Sequence, residues 1–148
     1  MIRYHEVEKI VYQQLESNCF GNKKRQGYRH LFGVSHLCLL YSDNLDKELC
    51  AIIGLLHDYS IYRNNSSFNH GPISSELAKQ LLIDTNLFSD EEIEIVRKAI
   101  YYHSNKSERH DEYCELLKMC DVLDKYLYEP DSILNDDLKY YLNLKSSR

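Results

Sequence analysis

Six residues of this chain carry side chains that could do chemistry, most of them on or at the end of an apolar stripe and His70 at a helix start. His57 and Asp58 close the apolar run that begins at Ala51, AIIGLLHD. An imidazole and a carboxylate are both hard to bury, and a divalent cation is the simplest compensation for a neutral histidine buried beside an ionised aspartate. His30 lies four residues before Val34, on the face of a predicted helix that also carries Leu31, Leu37, Cys38 and Tyr41. His103 follows Val96 by seven and stays on that apolar face. Asp121 falls on a stripe with Cys114, Leu117 and Asp124. His70 opens a helix at His70-Gly71-Pro72-Ile73, where a first-turn proline is harmless because its missing N–H had no partner to lose. Taken singly, each has an ordinary explanation: a hydrogen-bonded core histidine, an Asp121 paired with Lys118 or Lys125, a His70 that caps its helix. His5, His36 and His110 lie outside the pattern, and His36, two residues after Val34, points away from the core.

The elements that must position these residues are helices. Apolar spacing predicts a first helix from about Tyr4 to Ser17, with Val7, Ile10, Val11 and Leu15 on one face. Residues 18–27 read as a loop around the basic cluster Lys23-Lys24-Arg25. A second helix spans about Tyr28–Ser42, and the turn Asp43-Asn44-Leu45-Asp46 caps a third whose core stripe is Leu49, Ile52, Ile53 and Leu56. Residues 60–69 read as a polar loop. The fourth helix starts at His70 and uses Leu77, Leu81 and Leu82. The fifth follows the capping box Ser89-Asp90-Glu91-Glu92, with Ile93, Val96 and Ile100 inward. The sixth runs from Glu112 to Tyr128, and Pro130 ends it, leaving Asp131 to cap a last helix to about Leu144. The expectation is an all-α bundle of about seven helices with no strand.

A net charge of −5 excludes a broad footprint for a nucleic acid polymer, and the single basic cluster is too short to alter that. No apolar stretch reaches membrane-span length and the N-terminus has no signal-peptide core, so the expected location is cytoplasmic, with no membrane partner. Five cysteines without a CxxC pair (Cys19, Cys38, Cys50, Cys114, Cys120) read as small buried hydrophobes. The tyrosines near the C-terminus (Tyr126, Tyr128, Tyr140, Tyr141) are compatible with lining a pocket or a homodimer contact.

In chain order the six residues read His…His-Asp…His…His…Asp, on YRHLFGVSHLCLLYS, LDKELCAIIGLLHDYS, HGPISSELAKQLL, VRKAIYYHSN and LLKMCDVLDKYL. On these segments, covering residues 28–128, the chain resembles the HD superfamily of metal-dependent phosphohydrolases. The resemblance implies a single HD-like domain over 1–148 with its motif core at 28–128. It implies one metal held by His30, His57, Asp58 and Asp121, and a second in members that also carry the histidines matched here by His70 and His103. Asp58 would then bridge the two ions and act as the catalytic carboxylate. The glycine that often follows the His-Asp pair by two is Ser60 here. HDYS, HG and AIYYHS are similar to the bacterial diadenosine tetraphosphate hydrolases of the superfamily, which carry a longer insertion between the pair and the next histidine.

Nitrogen and oxygen donors without thiolate suit Fe, Mn, Mg, Ni, Co or Zn alike. Such a centre polarises a phosphoryl oxygen and lowers the pKa of water towards neutrality. The expected activity is hydrolysis of a phosphate ester or anhydride in a small nucleotide-like substrate, with Arg29, Arg63, Lys106 and Arg109 as cationic contacts. Two other classes stay open: a dinuclear iron oxygenase, which uses the same ligand order in a few family members, and a non-catalytic nucleotide-binding module.

Overall fold

The computed structural model describes residues 1–144, so the last four positions of the expected 1–148 unit lie outside the described residues. Among the described residues the chain is all helical, with no strand. The seven expected helices are present, and two short ones appear where loops were expected. They are α1 (Ile2–Asn18), α2 (Gly21–Gly27), α3 (Gly33–Leu40), α4 (Lys47–Leu56), α5 (Tyr59–Asn64), α6 (His70–Thr85), α7 (Asp90–Tyr102), α8 (Glu112–Tyr128) and α9 (Asp136–Leu144).

The centre of the bundle is α4. Eight of its ten residues, Leu49 to Leu56, are buried, so its sequence is apolar all round rather than striped. It packs on α1, α3, α7 and α8. Its first turn is fixed by Asp46, whose carboxylate accepts the Leu49 N–H at 2.9 Å, a cap worth about 1 kcal/mol. Gly54 permits the closest approach. A Cβ there would stand 2.6 Å from Ser35 Cα, so α3 and α4 touch backbone to backbone. Ser35 Oγ donates to the Ala51 carbonyl across the same contact at 2.7 Å.

The expected loop at residues 18–27 is instead α2, which runs through a π-helical turn, Tyr28–Phe32, into α3. Its sequence, GNKKRQG, shows no apolar stripe and is bounded by glycines, so periodicity could not reveal it. A single wide turn of this kind often marks a functional position in a helix, and here it carries His30. Residues 59–64 likewise form α5, too short to show a period.

In α6 the buried face is Gly71, Ser74, Ser75, Ala78 and Leu82. Leu77 and Leu81 are only half-buried, because small residues let α6 lie close against α7. At the other end, Asp131 does not cap the last helix. Pro130–Ser132 form a 3-10 turn, and Asn135 Oδ1 accepts the Leu138 N–H at 2.9 Å to start α9. Tyr141 of α9 is fully buried, and its hydroxyl donates to Glu115 of α8 at 2.8 Å. All five cysteines are buried and unpaired.

Candidate metal centre

Two helices end in the same way. At the C-terminus of α4, His57 turns its ring back so that Nδ1–H donates to the Gly54 carbonyl at 2.6 Å. At the C-terminus of α7, His103 does the same to the Ile100 carbonyl, also at 2.6 Å. In each case a carbonyl in the last turn of the helix accepts the imidazole N–H. A carbonyl can only accept, so Nδ1 holds the proton and the Nε2 lone pair faces inward. His30, in the π turn, donates Nδ1–H to Asp124 Oδ2 at 2.7 Å, and His70 Nδ1 lies 3.2 Å from the Ser67 carbonyl. Four imidazoles therefore converge through Nε2, each oriented from behind.

What they converge on is Asp58, at the break between α4 and α5. His30 Nε2 lies 3.0 Å from His57 Nε2, 3.1 Å from Asp58 Oδ2 and 3.2 Å from Asp121 Oδ1. His57 Nε2 lies 3.2 Å from the same Asp58 oxygen and 3.5 Å from the same Asp121 oxygen. Donors about 2.1 Å from a common ion stand roughly 3.0 Å apart at right angles and roughly 3.4 Å apart in a tetrahedron, the spacing found here. The other Asp58 oxygen, Oδ1, faces His103 Nε2 at 3.0 Å and His70 Nε2 at 3.6 Å. One carboxylate thus divides its oxygens between two donor sets, His30, His57, Asp58, Asp121 and Asp58, His70, His103.

Three observations fit a cation in the first set. Asp121 Oδ1 is buried and has no hydrogen-bond partner. The Nε2 atoms of His30 and His57 face each other, although both rings have Nδ1 committed as a donor. The donors are all imidazole nitrogen and carboxylate oxygen. Without an ion, protons take that role. Burial drives His30 down, but its contacts with the Asp121, Asp124 and Asp58 carboxylates outweigh it and push it up to about 11. Burial likewise opposes charge on His57, yet the Asp58 charge and the Asp121 and Asp58 contacts raise it. Burial would raise the Asp58 carboxyl; the His57 charge and the contacts with His103, His30 and His57 hold it well below its ordinary value. Asp121 is also held low against burial, chiefly by the charges of Lys106 and Lys125. His103 is the exception, because burial keeps it below its ordinary value despite Asp58. A neutral His103 with Nδ1–H on a carbonyl presents a lone pair to Asp58 Oδ1, a contact that a cation relieves.

All six residues expected to form the site are therefore brought together. Five are buried, and His70 is partly exposed at the rim. Ser60 braces this edge. Its N–H donates to Ser74 Oγ, the Ser74 hydroxyl donates to Ser60 Oγ, each at 2.9 Å, and the Ser60 hydroxyl donates to the His70 carbonyl at 3.3 Å. A serine in place of the frequent glycine ties α5 to α6.

The four cations expected near the site separate. Arg29 lines a cavity of about 240 Å³ that opens onto His30 and Asp58, its guanidinium 4.3 Å from the Tyr128 ring. Lys106 reaches the cluster but as a brace, donating to the His103 carbonyl at 2.5 Å and to Asp121 Oδ2 at 3.0 Å. Arg63 lines a separate cavity with Glu6, Tyr59 and Asp84. Arg109 stacks on Tyr140 at 3.8 Å and donates to the Tyr141 hydroxyl, anchoring α9. Neighbours in sequence of a site residue are not its neighbours in space once a helix ends. Two residues were missed: Asp124, which orients His30, and Lys125, which lines the cavity. The spacing of Asp124 three residues after Asp121 was the available signal, since it places both on one face of α8.

No curated protein and no solved structure gives a significant match to the chain. The HD domain family does, over residues 27–128, a span that runs from the last residue of α2 to the end of α8 and contains every member of the cluster. With that match and the buried His/Asp constellation in agreement, the chain belongs to the HD domain family.

Proposed function

We propose that this chain is a divalent-metal-dependent phosphohydrolase acting on a phosphate ester or anhydride of a small, nucleotide-like molecule. The observation that carries the reading is Asp58, whose two oxygens face two separate donor sets at the floor of an open cavity. His30, His57, Asp58 and Asp121 would hold one ion, and Asp58, His70 and His103 a second. When bound, such ions supply Lewis acidity towards a phosphoryl oxygen and a nucleophilic water at neutral pH.

The chain's own residues supply the rest. Asp124 fixes the His30 ring, and Lys106 holds Asp121 so that its other oxygen turns inward. Arg29 and Lys125 stand on the cavity wall, where a phosphate would meet positive charge. Burial of the donors limits bulk water and strengthens every charge interaction inside. The small cavity suits one phosphoryl group of a low-molecular-weight substrate rather than a nucleic acid polymer.

The test is phosphate release from a panel of nucleotides by metal-loaded protein, with diadenosine tetraphosphate included because of the HDYS, HG and AIYYHS likeness. Wild type should turn over at least one member, and Asp58→Ala should be inactive. Equal rates in the two would sink the reading. Activity that instead requires dioxygen and ferrous iron would favour oxygenation.

A further inference from the structure

The cavity over the cluster does not end at Arg29. It shares Gln26, Arg29 and Ile61 with an open groove of about 670 Å³ that continues along α2 and is lined by Asn22, Lys23, Arg25, Gln26, Arg29 and Ile61. The inner cavity mixes charges, with Asp58, Asp124 and Glu129 beside Arg29 and Lys125. The outer groove contains no carboxylate, in a chain of net charge −5. None of its cations is paired with a carboxylate of the described residues. Arg25 has no hydrogen bond or ion pair to any described residue. Arg29 faces only the Tyr128 ring, and Lys23 donates to the neutral Asn65 side chain. Asn22, Gln26 and Arg29 recur at helical spacing, with Arg25 four residues before Arg29, so they form one row that leads to His30 over roughly 12 Å of helix.

Resting on the phosphohydrolase reading, we propose that this groove is a subsite for the distal phosphates of the substrate, and that the enzyme takes a molecule with a chain of phosphates rather than a simple phosphomonoester. One phosphoryl group sits at the cluster. The rest of the chain runs outward past Arg29 to Arg25 and Lys23, which contribute planar, bidentate and point-charge contacts to successive phosphates.

Binding of inorganic phosphate and inorganic tripolyphosphate to the metal-loaded protein separates this from the parent reading. Calorimetry is run in a metal-ion buffer, so that chelation by the longer anion does not strip the site. Wild type should bind tripolyphosphate at least about tenfold more tightly than phosphate. Arg25→Ala should weaken tripolyphosphate roughly fivefold and Arg25→Glu more, with phosphate within about twofold. Arg25 is exposed and unpaired, so neither change threatens the fold. His36→Ala, on an exposed face of α3, should alter neither anion. Equal affinity for the two anions in wild type, or tripolyphosphate binding unmoved in both Arg25 variants, would overturn the subsite. Failure of the metal-loaded protein to bind either anion would overturn the phosphohydrolase reading and the subsite with it.

Discussion

At the scale of single residues, the centre is defined as much by what stands behind the imidazoles as by the imidazoles themselves. Asp124 is the clearest case, because it is the acceptor that commits His30 Nδ1 and so aims Nε2 at the cluster. Gly33 belongs to the same device, since a Cβ there would come within 2.4 Å of Asp124 Oδ1. Asp124→Asn should lower metal affinity about 10–100-fold while leaving the fold intact, as read by metal titration and far-UV circular dichroism. His30 also makes a pH-dependent prediction. Its folded value is raised from 6.5 to about 11, so in metal-free protein its stabilisation is complete below pH 6.5 and is lost progressively as pH rises towards 11. A bound metal replaces that proton. The gap in melting temperature between metal-loaded and chelated protein should therefore widen from pH 6.5 to 9, and metal uptake near pH 7.5 should release about one proton from His30. A gap independent of pH would contradict the assignment of His30.

At the scale of elements, the helices were legible to the extent that they carry a period. The faces of α1, α7 and α8 repeat apolar residues at helical spacing, α4 is an apolar run, and the caps at Asp46 and Ser89 occur where their residue types predict them. What could not be read was structure without a period. GNKKRQG forms α2 where Gly27 packs closely against Leu15 and Tyr62 and the π turn joins it to α3. Asp131 looked like a cap, but Pro130 diverted the chain into a 3-10 turn first. His30, His103 and Asp121 were recoverable as polar exceptions on apolar stripes, His57 and Asp58 as the polar end of an apolar run, and His70 from its place at a helix start and in the resemblance. Lys125 and Arg25, polar on polar surfaces, gave no such contrast. The contact of α3 with α4 brings His30 to His57, and it depends on Gly54. Gly54→Ala would press a methyl group against Ser35 backbone that cannot swing aside, and should cost about 1–3 kcal/mol in urea denaturation. An unchanged midpoint would show that the two helices have room to part.

At the scale of the whole molecule, five helix ends or faces meet at one point, and no described helix is long and apolar enough to cross a membrane. The buried carboxylates and imidazoles crowd one point, so metal binding and folding should be coupled. At metal concentrations near 100 times the dissociation constant the gain is about 2.7 kcal/mol, which for a chain of this size moves the melting temperature by roughly 5–10 °C. Chelator should remove that increment and readdition of metal should restore it. The central claim, that the constellation around Asp58 is a metal site, is tested most directly by elemental analysis of purified wild-type and Asp58→Ala protein at matched concentration. One or two equivalents of divalent transition metal or magnesium in wild type, lost in Asp58→Ala, is the predicted result. Wild-type protein that stays metal-free after incubation with each candidate ion, or an Asp58→Ala protein that retains the full wild-type content, would contradict it.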